Sequence, residues 1–194
     1  MRNDVLKWIT SAGGPLVLLD EELATYWTGA GDDDSSSLCD GETDTNGRKE
    51  NASKAPTDYE RACSVTDYVG LLAVGPGQCV ILGEEPMPTA WWPELDSGAG
   101  IIIRWRWAQD EQSALAAVRN SLRGNWSEGG PLFRVLSGSL VLFDSACPGV
   151  DIDCTRSGCL LTIALGKGHY EIRTLFCEPD DQTAMILHRL SPLL

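Results

Sequence analysis

Two histidines are the main candidates for acid–base chemistry in this sequence. His169 follows the turn Gly166-Lys167-Gly168, and His188 lies in a late apolar segment. Neither belongs to a Gly-x-Ser-x-Gly elbow, a His-Glu-x-x-His helix or a Cys–His signature, which are the patterns that place a nucleophile or a metal beside a base. We therefore predict that the protein is not an enzyme. A hydrolase or transferase site assembled in space around His169 or His188 is the alternative.

The cysteines and acidic pairs do not predict a metal site or a cofactor. Seven cysteines give an odd number without a Cys-x-x-Cys pair. Cys147, Cys154 and Cys159 cluster, but their spacing matches no standard zinc-ligand pair and no fourth ligand is evident. Asp151 and Asp153 lack the other ligands of a calcium loop. The other cysteines in apolar, periodic segments are predicted to be small core side chains, and they are Cys63, Cys79 and Cys177.

Two features of the sequence favour protein binding. The chain has 28 acidic residues against 15 Lys and Arg, for a net charge of −13. Such a charge repels nucleic acids and anionic lipids and accelerates encounters with basic partners. The adjacent Trp91 and Trp92 are candidate anchors, because tryptophan is enriched at binding hot spots. Core packing is the competing interpretation. The acidic candidates for contact residues are Asp32, Asp33, Asp34, Glu84 and Glu85.

The elements that must position these residues are mostly strands. Apolar runs predict strands at 5–11, 15–19, 69–74, 78–82 and 101–107. Glycine turns at 75–77 and 166–168 predict hairpins, since they lack the spacing of a phosphate-binding loop. Asp20, Thr57 and Asp110 are predicted to cap three short helices. On the strand 101–107, alternation places Trp105 and Trp107 on one face and Arg104 and Arg106 on the other.

One β-rich pattern occurs twice along the chain. The segment GPLVLLD at 14–20 matches GSLVLFD at 138–144, LAVGPGQCVILG at 72–83 matches IALGKGHYEIRT at 163–174, and GIIIRWRW at 100–107 matches AMILHRL at 184–190. We predict one α+β domain over 1–194, with a mixed or antiparallel sheet, two or three short helices, and related halves at 1–124 and 125–194. Residues 32–56 are polar and acidic, and we expect a flexible loop there.

Targeting signals are not evident in the sequence. No segment reaches the roughly 18 consecutive apolar residues of a transmembrane helix. The first residues lack the apolar core of a signal peptide. We therefore expect a cytoplasmic protein that binds neither membranes nor nucleic acid.

Several segments together resemble the immunity protein 21 family of bacterial polymorphic toxin systems. They are Trp8 with 13–19, 58–63, 67–70, 82–86, 89–93, 103–105, 140–146, 168–170 and 187–190. The resemblance implies a non-enzymatic inhibitor that binds the catalytic domain of a cognate toxin in the cytosol. Many such toxins are nucleases with basic clefts, although deaminases, ADP-ribosyltransferases and peptidases stay open. A regulatory module for a small ligand is a further alternative.

Overall fold

The computed structural model describes residues 6–31, 55–83, 86–94, 97–152 and 159–193. This part of the chain contains eleven strands in two sheets, and every strand pairing is antiparallel. Sheet A consists of β1 (Trp8–Ile9), β5 (Thr89–Glu94), β6 (Ala99–Trp107), β11 (Thr183–Pro192), β10 (Gly168–Asp180) and β7 (Leu132–Val135), in that order. Sheet B consists of β3 (Gly70–Val74), β4 (Gly77–Leu82), β2 (Leu16–Asp20), β8 (Ser139–Asp144) and β9 (Leu160–Ala164).

Short helices cover the outer faces of the two sheets. The helix α2 (Glu111–Ser121) packs on sheet A, and the 3-10 turns Glu21–Tyr26 and Gly149–Asp151 pack on sheet B with α1 (Asp58–Cys63). The inner faces of the sheets form the main core, which contains Leu18 and Leu142 of sheet B and Ile102 and Leu190 of sheet A. The predicted α+β class is confirmed. No helix in the described ranges has both the length and the apolar character needed to cross a membrane.

The strand order repeats in the two parts of the chain. From its centre outward, sheet A runs β6, β5, β1 in one direction and β11, β10, β7 in the other. Sheet B runs β2, β4 and β8, β9 in the same way, with β3 added at one edge. At the centre of sheet B, Leu18 pairs with Leu142, which occupies the same position of the matched segment. The two central strands of each sheet therefore come from different parts of the sequence, on either side of α2.

Asp20 ends the first matched segment and binds the backbone of the second. Its side chain is fully buried and accepts hydrogen bonds from the backbone N–H of Leu136 (2.7 Å) and Ser137 (2.8 Å), in the turn before β8. It also accepts one from Glu22 (3.2 Å), which caps the 3-10 turn. Burial raises the pKa of this carboxyl, but the hydrogen bonds from Ser137, Leu136 and Glu22 outweigh it and hold the pKa below its usual value.

Asp144 ends the second matched segment and has the reciprocal role. It accepts hydrogen bonds from the backbone N–H of Ala12 (2.7 Å), in the turn before β2, and from its own following turn at Ala146 (3.0 Å). Each aspartate therefore ties the end of its own central strand to the turn that starts the other one. These two carboxylates join the two related parts of the chain.

The second glycine turn does not form the predicted hairpin. Gly75-Pro76-Gly77 closes β3 onto β4, as expected, with Gly75 at φ +49°. In contrast, residues 166–168 lead from β9 in sheet B to β10 in sheet A, so the strands on either side are not partners. The prediction was wrong because the two strands that flank this turn belong to different sheets and cannot pair with each other.

Local predictions at the helices were mostly confirmed. Asp20 and Asp110 cap their elements, and Thr57 forms the expected capping box with Glu60. The first strand is shorter than predicted, because β1 includes only Trp8–Ile9. Cys79 and Cys177 are core residues as expected, but Cys63 is exposed at the end of α1.

Candidate functional site

Trp91 and Trp92 occupy opposite faces of sheet A. The indole of Trp91 packs on the inner core and lies over Gly100, where a Cβ would overlap the ring. Trp92 packs on the outer side with the α2 cluster, and the Arg119 guanidinium lies 5.3 Å from its ring centroid. Both indoles are half-buried. Alternation along β5 therefore places each of them in the protein's own packing and leaves only part of each ring for a partner.

Three more tryptophans pack around α2, because this helix is too small to cover the outer face of sheet A. An eleven-residue helix is about 16 Å long and about 10 Å wide, while six strands spaced about 4.8 Å apart form a sheet more than twice as wide. Trp8, Trp105 and Trp126 fill the uncovered margins with Trp92. Trp8 donates a hydrogen bond to Glu111 Oε1 (3.0 Å), and its ring meets Trp105 edge-on at 5.4 Å. Much of the tryptophan content thus has a structural role.

His188 lies in a buried polar layer on the inner face of sheet A. Its Nδ1 is 2.9 Å from Thr174 Oγ1, and its Nε2 has no hydrogen-bond partner among the described residues. Burial, followed by the positive charge of Arg104, lowers the pKa of His188 to about 3. The ring is therefore neutral at physiological pH. Because none of the side chain is exposed, it cannot contact a substrate in this conformation.

Arg104 belongs to the same layer and is 1% exposed. Its Nη1 donates to the carbonyl of Tyr68 (3.2 Å), which anchors the segment before β3 to sheet A. His169, the other candidate base, is exposed on β10, opposite Arg134 of β7. The structure does not join the two histidines in one site.

Beyond this polar layer, two aromatic side chains on the inner face of sheet A, Phe176 and Trp107, are exposed. The strands of sheet B have five or six residues, whereas β10 has 13. Along β10, Tyr170 and Ile172 lie in the core, Thr174 contacts His188, and Phe176 is 51% exposed. The ring of Phe176 meets Tyr68 edge-on, with centroids 5.0 Å apart. Sheet A therefore extends past sheet B and presents an aromatic pair.

A β-bulge adds a third aromatic ring to this end of the sheet. Trp105 pairs with Met185 and Trp107 with Ala184, so the extra residue Arg106 reverses the alternation. Trp107 is consequently on the inner side and 44% exposed, and the prediction that it shares a face with Trp105 was wrong. Arg106 lies 4.8 Å from the Trp107 ring centroid and forms an ion pair with Glu178 (3.1 Å). We call Tyr68, Arg106, Trp107, Phe176 and Glu178 the aromatic ledge.

A family model described as immunity protein 21 matches residues 7–183, which include all of sheet B and every strand of sheet A except β11. The chain belongs to the immunity protein 21 family. No curated protein and no solved structure matches it. An immunity protein of a toxin system has a toxin protein as its partner, so a binding surface is the feature to look for.

Two thiols of this immunity protein 21 family member, those of Cys79 and Cys147, have the properties of structural groups. Burial raises the pKa of Cys79 to about 12, and burial followed by Asp144 and Cys159 raises the pKa of Cys147. A raised pKa leaves little thiolate, which is the form that acts as nucleophile and metal ligand. Within the described ranges, no group of three His, Cys, Asp or Glu side chains could hold a metal ion. Cys154 and Asp153 lie outside those ranges.

The acidic contact residues expected from the sequence lie outside the described residues. These are Asp32, Asp33, Asp34, Glu84 and Glu85. The residue before the glutamate pair, Gly83, has its backbone against the carbonyl of Asp67, next to Tyr68. Sequence reasoning did not nominate Tyr68, Trp107 or Phe176, since their exposure depends on the bulge and on where sheet B ends.

Proposed function

We propose that this protein neutralises the cognate toxin of a bacterial polymorphic toxin system by binding the catalytic domain and covering its active site. The family match over residues 7–183 is the observation that carries the proposal. The protein acts in the cytoplasm of the producing cell or its sisters, as an inhibitor without catalysis of its own. The exclusion of His188 from solvent is consistent with that role.

The charge favours a nuclease as the toxin. A nuclease cleft is basic because it holds phosphates, and a chain with a net charge of −13 is attracted to such a surface. Electrostatic steering can raise association rates by roughly 10- to 1000-fold. We propose that Asp32, Asp33, Asp34, Glu84 and Glu85 contribute to this attraction without contacting nucleic acid.

We propose that Trp91 and Trp92 also contact the toxin, but with only part of each side chain. Each offers only the part of its indole that the protein's own packing leaves exposed. Replacing either one will therefore change stability as well as binding. Their contribution to binding must be measured against the folded fraction of each variant.

We further propose that residues 1–194 form one domain built from related halves, 1–124 and 125–194. Each sheet takes its strands from both halves, and Asp20 and Asp144 bind across the boundary. With this arrangement, neither half can complete a sheet or bury its apolar face alone.

Co-expression with the toxin domain encoded by the neighbouring gene tests the proposed function. Cells that induce the toxin alone should die, and cells that also make this protein should grow. A catalytically inactive toxin should co-purify with the protein, while an unrelated toxin domain should not. Equal killing with and without the protein, together with no co-purification, would reject the proposal.

A further inference from the structure

We propose that the aromatic ledge is the docking surface for a basic face of the toxin domain; this inference rests on the proposed function. The ledge is formed by Tyr68, Arg106, Trp107, Phe176 and Glu178, at the end of sheet A beyond His188 and Arg104.

The ledge exposes aromatic surface in the pattern of an interface. Phe176 and Trp107 are 51% and 44% exposed, although they lie on the sheet face that elsewhere forms the core. Isolated exposed apolar residues are common on protein surfaces, but here the rings are contiguous with one another or with Arg106. Trp, Tyr, Phe and Arg are the residue types enriched in interfaces and at their hot spots.

The charges around the ledge identify the chemistry of its partner. Glu178 already pairs with Arg106. Asp67 lies exposed beside Tyr68, and Asp181 lies exposed where the hairpin β10–β11 turns. The rim of the ledge is therefore acidic, and it complements a surface rich in Lys and Arg.

The ledge is held in place before a partner arrives. Phe176 is fixed edge-on against Tyr68, and Arg106 is held between the Trp107 ring and Glu178. Below these side chains, Ile186 and His188 are fully buried, and Arg104 anchors the carbonyl of Tyr68. A preorganised surface loses little conformational freedom on binding, so its contacts contribute more of their energy to affinity.

Alanine variants of the ledge test this proposal. Phe176→Ala and Trp107→Ala remove exposed rings, and Leu132→Ala is the matched control because Leu132 is 56% exposed on the edge strand β7. Affinity for the catalytically inactive toxin domain is measured by calorimetry, and folding is checked by thermal unfolding. We expect each ledge variant to bind at least about tenfold more weakly and the control to change by less than about twofold.

A footprint on the unmodified protein keeps the test independent of variant folding. Oxidation of Trp107 and Phe176 by hydroxyl radicals should be suppressed when the toxin domain is bound, while oxidation of Leu132 should not change. Ledge variants that bind within about twofold of the unmodified protein, or rings that stay open to oxidation in the complex, would overturn the inference but leave the proposed function standing. No binding by the unmodified protein would overturn both.

Discussion

Replacing Asp20 by alanine should destabilise the protein more than the same replacement at Asp144. Both carboxylates bind the turn that begins the other half's central strand, so the two variants are matched by position in the repeat. The two carboxylates differ in the number of hydrogen bonds they accept and in their burial. From the residues that the structure describes, Asp20 accepts three backbone hydrogen bonds and Asp144 accepts two. Asp20 is fully buried, and Asp144 is 7% exposed.

The expected loss in the free energy of unfolding follows from the number of backbone N–H groups that lose their hydrogen-bond acceptor. A buried donor left without a partner costs about 1–3 kcal/mol. Asp20→Ala removes the acceptor of the N–H groups of Leu136, Ser137 and Glu22, so we expect the free energy of unfolding to fall by about 3–5 kcal/mol. Asp144→Ala leaves two backbone N–H groups, those of Ala12 and Ala146, without this acceptor, and we expect a loss of about 2 kcal/mol. Because domains are typically stable by about 5–15 kcal/mol, Asp20→Ala should remove a large part of the total.

Urea unfolding at pH 7 measures both losses as differences in the free energy of unfolding. The pH dependence provides a second readout. Since the folded pKa of Asp20 is below its unfolded value, its contribution is complete above the unfolded pKa of about 4 and is lost as the pH falls through the folded pKa. Asp20→Asn should remove that part of the acid sensitivity. A loss below about 1 kcal/mol for Asp20→Ala, or a larger loss for Asp144→Ala, would refute the reasoning.

Three further predictions concern the buried His188, the 3-10 turn at Gly149 that packs on sheet B, and the net negative charge of the chain. The pKa of His188 in the folded protein is about 3, below its unfolded value, so the stability that the neutral ring contributes should be complete above pH 6.5 and should be lost as the pH falls toward 3. The free energy of unfolding of a His188→Gln variant should therefore depend less on pH than that of the unmodified protein. The same pH dependence in both proteins would contradict this burial of a neutral histidine. Gly149→Ala should lower the melting temperature by several degrees, because a Cβ there would overlap the carbonyl oxygen of Ala24. At Gly166 a Cβ would only touch the Tyr170 hydroxyl, at 3.4 Å, so alanine should be accepted with little change. Equal melting temperatures for the two variants would contradict this packing. Association with the toxin domain should slow between 0.15 M and 1 M salt in stopped-flow measurements, as the Debye length falls from about 8 Å to about 3 Å, and a salt-independent rate would show that charge does not steer the encounter.

The sequence predicted the features that depend on local patterns. The continuous apolar run of β2 indicated a strand buried on both faces, and the structure has all of Leu16–Asp20 buried. Alternation placed Trp91 and Trp92 on opposite faces. The matched segments around Asp20 and Asp144 predicted neighbouring strands of the same kind, and β2 and β8 pair at the centre of sheet B.

The features that failed depend on long-range pairing. Residues 166–168 have the composition of a hairpin turn, but only the sheet to which each strand belongs decides whether its neighbours pair. Trp107 changed face because of one bulged residue, Arg106, which local propensity does not reveal. The exposure of Phe176 depends on the lengths of strands in the other sheet. For this reason, the aromatic ledge could not be predicted from the chain alone.

The most direct measurement of the central claim is a titration of the purified toxin domain with this protein, with residual toxin activity and complex mass as readouts. We expect toxin activity to fall to zero at a fixed stoichiometry and the complex to contain both proteins. Full toxin activity in the presence of excess folded protein, with no complex detected, would contradict the central claim.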